Sequence, residues 1–282
     1  MEFGVALGAA NPAFFPAIVA AAEELGYESV WLPEHLIFTN RMSRSPHPGE
    51  THPPVPPETP IFDAFAYLSF LAGRHASLKF GTHVFNIGLR HPFTTARAVQ
   101  TIDLLSEGRF LFGIGASWLE EEWIAAELDF ASRGRRVDEC IEVCRRLWTE
   151  DSVTHHGEFF TFEEAVFVPK PVQSPWPPIL VGGESAPALR RAARLGDGWI
   201  GMHHDLESGA AQIGRLRTLL VEEGRDPDAF EYCLGARIDS TDDLRRWEDL
   251  GVTRMVFSPW RRSREAVDGL RAFADLAGLE RR

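Results

Sequence analysis

Glu34 and His35 stand side by side where the apolar run "SVWLP" (residues 29–33) ends. A buried strand has no packing use for a carboxylate and an imidazole at its exit. Together they can hold, give or take a proton near neutral pH. A second imidazole, His83, closes the run "LKFGTH", at a similar depth if the two strands are neighbours, so one bound molecule could meet both rings. A histidine at a strand end also serves as a hydrogen-bonded structural residue, and that reading stands beside the chemical one. A metal centre is the sharper rival. Metal-dependent barrel hydrolases end their first strand in a His-x-His pair, whereas the run here is "GVALGAANP". The pairs His155-His156 and His203-His204 would point to opposite faces of a strand and chelate poorly. No metal is expected.

Glycines mark two further strand ends. Gly182-Gly183-Glu184-Ser185 precedes a helix opening at Ala186-Pro187. Paired glycines let backbone approach a ligand, and the helix start offers unpaired N–H groups to a phosphate. A tight turn with a serine N-cap would leave the same trace. Gly113-x-Gly115 is weaker: Trp118 stands where a dinucleotide fingerprint has its third glycine, which sets that fold aside.

These residues need elements to carry them. Short apolar runs alternate with amphipathic segments from "FGVALG" (3–8) to "SREAVDGLRAFADLAG" near the end, giving eight strand–helix units. Eight such units predict a closed (β/α)8 barrel as one domain over 1–282, with an open doubly wound sheet as the alternative. Barrel chemistry sits at the C-terminal strand ends. Those ends gather Gly8 to Asn11, Glu34-His35, Thr82-His83-Val84, Gly115-Ala116, Trp118, Gly182 to Ser185 and Gly201-Met202. Two insertions depart from the minimal plan. Arg41 to Pro60, rich in proline, follows the second strand and reads as a lid. Asp151 to Pro177 precedes the fifth strand and alternates like a hairpin in "GEFFTFEEAVFV".

Composition limits the function. The 282 residues carry 29 Lys+Arg against 41 Asp+Glu, a formal charge of −12. That argues against nonspecific nucleic-acid binding, which needs a basic stripe. No run is long enough to cross a bilayer, and "MEFGVA" lacks the basic start of a signal peptide, so a cytoplasmic location is expected. Cys140, Cys144 and Cys233 form no disulfide or zinc pattern. They are expected in the core.

The stretch "GTHVFNIGLRHPFTTARAVQTIDLLSEGRFLFGIGASWLEEE" (81–122) resembles the bacterial luciferase-like superfamily. "FVPKPVQSPWPPILVGGES" and "ALRRAARLGDGWI" are similar to its F-420-dependent oxidoreductase branch. The resemblance implies a barrel holding the deazaflavin coenzyme F-420, or alternatively FMN, at its mouth. It implies hydride transfer to or from a small organic substrate, with His35 near the reactive ring and Glu34 at the ring edge. It places a non-proline cis bond between His83 and Val84, with Thr82, Gly115 and Ala116 beside the ring. Gly182, Gly183, Glu184, Ser185, Gly201 and Met202 fall on its phosphate region. Sugar-phosphate dehydrogenases of the branch carry an acidic donor where this chain has Trp118, and Glu120, Glu121 and Glu122 come slightly later. Their acid–base scheme therefore does not transfer. Trp118, Phe38 and Phe85, with Phe14 and Phe15, are expected to give an apolar substrate wall. Arg41, Arg44, Arg190 and Arg194 are candidates for an anionic cofactor tail. Two rivals remain: an FMN-dependent monooxygenase fed by a flavin reductase, and a catalytically silent flavin-binding protein. A homodimer through "FDAFAYLSFLAGR" and "TTARAVQTIDLL" is expected, because the first helix is apolar on nearly all faces.

Overall fold

The computed structural model describes residues 1–8, 10–45 and 55–281. The central part of the expected lid, 46–54, and Ala9 of the first strand end lie outside the described residues.

Strands β1 (Glu2–Ala6), β2 (Ser29–Leu32) and β3 (Lys79–Thr82) lie side by side in parallel, with helices α1 (Phe15–Glu24) and α2 (Ala64–Ala72) between them in sequence. A short β4 (Phe85–Asn86) continues β3 after an interruption, and α3 (Pro92–Leu105) leads to β5 (Phe110–Gly115). Next come α4 (Glu120–Ala125), α5 (Arg133–Thr149), the strands β6 (Val153–His156) and β7 (Thr161–Ala165), and β8 (Ile179–Gly182). The chain closes with α6 (Ala186–Leu195), β9 (Gly198–His204), α7 (Leu206–Glu222), β10 (Glu231–Ala236), α8 (Thr241–Asp249), β11 (Arg254–Phe257) and α9 (Ala266–Ala277). Strand β11 pairs with β1 and β3 pairs with β5, so eight parallel strands close on themselves. The architecture is the expected (β/α)8 barrel.

The strands are apolar runs because both faces are covered. Trp31, Leu111, Leu180, Ile200, Cys233 and Val256 form the plug inside the barrel, whereas Val30, Leu32, Phe110 and Phe112 pack outward under the helices. Trp31 fills so much of the interior that a Cβ on Gly81 would lie 2.2 Å from its indole. All three cysteines are buried. Side-chain caps set several helix starts: Asp63 accepts from the Ala66 N–H at 2.8 Å, and Asp205 from Ser208 at 2.8 Å.

The second insertion is a hairpin, but in a different register from the sequence expectation. Val153–His156 pairs with Thr161–Ala165, and Gly157 to Phe160 is the turn rather than a strand. Glu139 on α5 fixes it there by accepting the N–H groups of Phe159 and Phe160 and pairing with His155. Asp103 on α3 anchors the following segment through the N–H groups of Val172 and Gln173. The hairpin thus packs on helices and does not line the barrel mouth. Helix α2 turns Phe70 outward and α3 does the same with Leu105. Among the described residues no helix is long and apolar enough to cross a membrane.

Candidate active site

A cavity of about 1630 Å³ opens at the C-terminal strand ends. It exceeds the range of ordinary small-ligand pockets. Glu34, His35, His83, Val84, Gly115, Ala116 and Trp118 line one side; Gly182 to Ser185, Gly201 and Met202 line another. Most residues singled out in the sequence therefore meet at one void.

The exit of β2 is held rigidly. Glu34 is buried, and its carboxylate accepts from Arg90 at 2.5 and 3.2 Å and from the Asn86 N–H at 3.0 Å. Asn86 returns a bond to the Glu34 carbonyl at 3.2 Å. With both oxygens engaged, Glu34 is a brace between the second and third strand ends. His35 follows it into the cavity wall. Its Nδ1 lies 3.1 Å from Oε2 of Glu122, a carboxylate with no solvent exposure. The His35 ring packs against Phe38 at 4.7 Å and edge-on to Trp118 at 5.7 Å.

Between β3 and β4 the bond from His83 to Val84 is cis, as the resemblance implied. Among the described residues the buried Nε2 of His83 has no hydrogen-bond partner, and burial pushes this imidazole down to about 4. It is neutral at physiological pH.

On the opposite side, Ser185 caps α6 by accepting from the Ala188 N–H at 3.4 Å, and Gly183 has φ 124°, a conformation that needs glycine. Glu184 spends its carboxylate on the Met202 N–H at 2.6 Å, His204 at 3.2 Å and Gln212 at 2.8 Å. Burial raises its pKa, but these bonds together hold it below the usual carboxylate range. Glu184 thus ties β8 to β9 and α7, and the Met202 N–H is already committed to it.

Several expectations need correction. Thr82 is buried and donates to the Gly113 carbonyl at 2.6 Å, outside the cavity. Phe85 packs against Phe65 and Phe112 in the core. Phe15 packs against Phe62 and Tyr67, and Phe14 is exposed; neither lines the cavity. Phe38 touches His35 without lining the void. Of the arginines proposed for an anionic tail, Arg44 lines the cavity, whereas Arg41, Arg190 and Arg194 do not. Arg133, Arg191, Arg237 and Arg261 also line it. Arg191 is buried, donates to the Gly134 carbonyl at 3.0 Å and pairs with Asp138.

The closed parallel barrel with its chemistry at the strand ends defines a class that the comparisons make specific. Residues 1–250 match the luciferase-like monooxygenase family. The chain belongs to that family, whose members are oxidoreductases or monooxygenases. An uncharacterized protein of Mycobacterium tuberculosis strain H37Rv is 30% identical over 257 residues, covering 91% of this chain and 88% of its own. Monooxygenase RslO1 from Streptomyces bottropensis superimposes with a TM-score of 0.78 at 22% identity, covering 98% of each chain. An F420-dependent secondary alcohol dehydrogenase, solved with an F420–acetone adduct, gives 0.78 at 15% identity, covering 100% of this chain and 99% of its own. At these identities the two structures share the fold.

Proposed function

We propose that the chain is an oxidoreductase that transfers a hydride between coenzyme F-420 and an apolar organic substrate. One observation carries the reading: His35, backed by Glu122, packed against Phe38 and edge-on to Trp118, lines the same cavity as His83. A planar ring with a polar edge would lie beside these residues, and a volume of about 1630 Å³ leaves room for a tail and a substrate. When bound, the deazaflavin supplies the hydride-carrying carbon and its electronics. The protein supplies placement and dryness. His35 exchanges a proton at its outer nitrogen, Trp118 excludes water from that corner while Phe38 packs on the His35 ring, and Glu34 with Arg90 keeps the strand exit in place. The capped start of α6, Arg133 and Arg191 receive the negative charge of a phosphate-bearing tail.

The FMN-dependent monooxygenase is the second reading, favoured by the similarity to RslO1 over 98% of the chain. Fluorescence titration of the apo-protein separates the two. F-420 is expected to bind at least about tenfold tighter than FMN, a difference of about 1.4 kcal/mol. Tighter FMN binding, with turnover sustained by a flavin reductase, would reverse the assignment. Tight binding without turnover of any substrate by either cofactor would leave a silent binder.

We extend the reading to a homodimer through α2 and α3, on the strength of outward-facing Phe70, Leu104 and Leu105. Sedimentation at micromolar concentration is expected to give a dimer; a clean monomer would sink the idea.

A further inference from the structure

Glu122 is the most enclosed charged group near the site, and the sequence gives little notice of it. It stands third in the run Glu120-Glu121-Glu122 at the start of α4, with no solvent exposure. A carboxylate so placed needs a donor for each oxygen. The Leu36 N–H reaches Oε1 at 2.5 Å, and Ser117 Oγ reaches Oε2 at 3.1 Å. Ser117 itself accepts the Leu119 N–H at 3.2 Å, so its own proton is free to point at Glu122. Two certain donors therefore converge on the carboxylate, one on each oxygen. His35 Nδ1 is the third group in reach, at 3.1 Å.

That donor count decides the imidazole. A backbone N–H can only donate, and the serine proton has no other acceptor in this set. The carboxylate acts as acceptor throughout, so Nδ1 of His35 carries a proton. In the neutral ring, Nε2 is then the bare nitrogen, and among the described residues it has no hydrogen-bond partner. The same turn of helix holds the chain that leaves His35. Glu121 accepts the Ser43 N–H at 2.9 Å, and Glu120 pairs with Arg44 at 2.7 Å.

We propose that Glu122 is a positioning residue for His35, fixing the tautomer with Nδ1 protonated so that Nε2 exchanges the substrate proton. The proposal rests on the assignment of His35 as the proton-exchanging group. It assigns Glu122 no contact with substrate or coenzyme. Its neighbours Glu120 and Glu121 hold only the following segment.

Glu122→Gln tests it with little change in volume. An amide presents an acceptor on one side and a donor on the other, so it cannot accept from both the Leu36 N–H and a His35 Nδ1–H. If its NH₂ faces His35, Nδ1 must become the acceptor and the proton moves to Nε2. Two-bond ¹H–¹⁵N spectra of ¹⁵N-histidine-labelled apo-protein read this directly, at about pH 8.5, two units above the ordinary imidazole value. The wild type is expected as the Nδ1–H tautomer and Glu122→Gln as Nε2–H or a mixture. Turnover is expected to fall about 10²-fold, with the F-420 dissociation constant within about twofold. Glu121→Gln, which removes a neighbouring charge that does not touch His35, is expected to keep the wild-type tautomer. A wild-type His35 with its proton on Nε2 would overturn the proposal. So would a Glu122→Gln protein with unchanged tautomer or unchanged kcat. If Glu122→Gln does not fold, the wild-type spectrum decides alone. The tautomer is read without coenzyme, so turnover with FMN, or with nothing, would defeat the functional reading and leave the Glu122 assignment standing.

Discussion

At the floor of the barrel, where the strands begin, Arg254 is enclosed by Glu28 at 3.0 Å and by Glu231, and Lys79 reaches Glu28 at 2.9 Å. Two cations meet two carboxylates beneath Trp31, whose ring lies 5.7 Å from the Arg254 guanidinium. Burial raises the pKa of Glu28, but Arg254, Ser29 and Lys79 outweigh it and hold the group below the ordinary value. For Glu231 burial prevails over Arg254, and the shift is upward. At the mouth the accounts are left open. Among the described residues His83 Nε2 has no partner and His35 is tied at one nitrogen only, and both residues line a void of about 1630 Å³. The difference teaches how one barrel divides its buried charge. The floor closes its charged groups on one another, which serves stability, whereas the mouth ties Glu34, Glu184 and Arg191 to protein partners and leaves the outer nitrogen of His35 open.

The sharpest way to break that division is a matched pair of variants. Arg254→Met leaves Glu28 and Glu231 buried together without their guanidinium. Removing one partner from a buried ion cluster costs about 3–5 kcal/mol, expected as a lowered urea midpoint at pH 7. Activity per folded molecule should stay near that of wild type, because the floor lies beneath the Trp31 plug. His35→Gln is the reverse case. Its stability loss should be under about 1 kcal/mol, whereas kcat should fall about 10²-fold. If Arg254→Met depresses turnover per folded molecule as strongly as His35→Gln, floor and mouth are not separable.

The barrel itself was legible because its strands are covered on both faces, so "FLFGIG" and "PPILVGG" read as unbroken apolar runs that solvent-facing strands would not carry. His35 was legible for the converse reason, since a polar pair ending such a run has no packing use. Glu122 was not: it lies 87 residues from His35 along the chain, and three glutamates opening a helix look like a solvated first turn. Arg191 was hidden by its neighbours. In "ALRRAARLG" Arg190 and Arg194 face solvent, and only the phase of α6 against the barrel turns Arg191 inward. Thr82 failed through strand alternation. Gly81 faces Trp31 inside the barrel, so its neighbour Thr82 must face the other way. The hairpin register depended on Glu139 and the N–H groups it caps, a contact that strand periodicity does not encode.

A pH titration of stability sharpens the contrast most directly. His83 carries a buried ring nitrogen that is unpaired among the described residues, and burial pushes its pKa down to about 4. The unfolded chain takes up this proton near pH 6.5, whereas the folded protein resists it until about pH 4. Between those values the unfolded state binds more protons, so stability rises with pH and is lost as pH falls through the window. The slope approaches about 1.4 kcal/mol per pH unit for one such group. Urea denaturation of the wild type at intervals from pH 7 to pH 4.5 should contain this component. His83→Phe keeps a ring in the same place and removes the titration. Its pH profile should be flatter than that of wild type over that window and parallel to it above pH 7. A variant with the wild-type slope would mean that His83 finds a partner in the folded protein, and the open account at the mouth would have to be sought elsewhere.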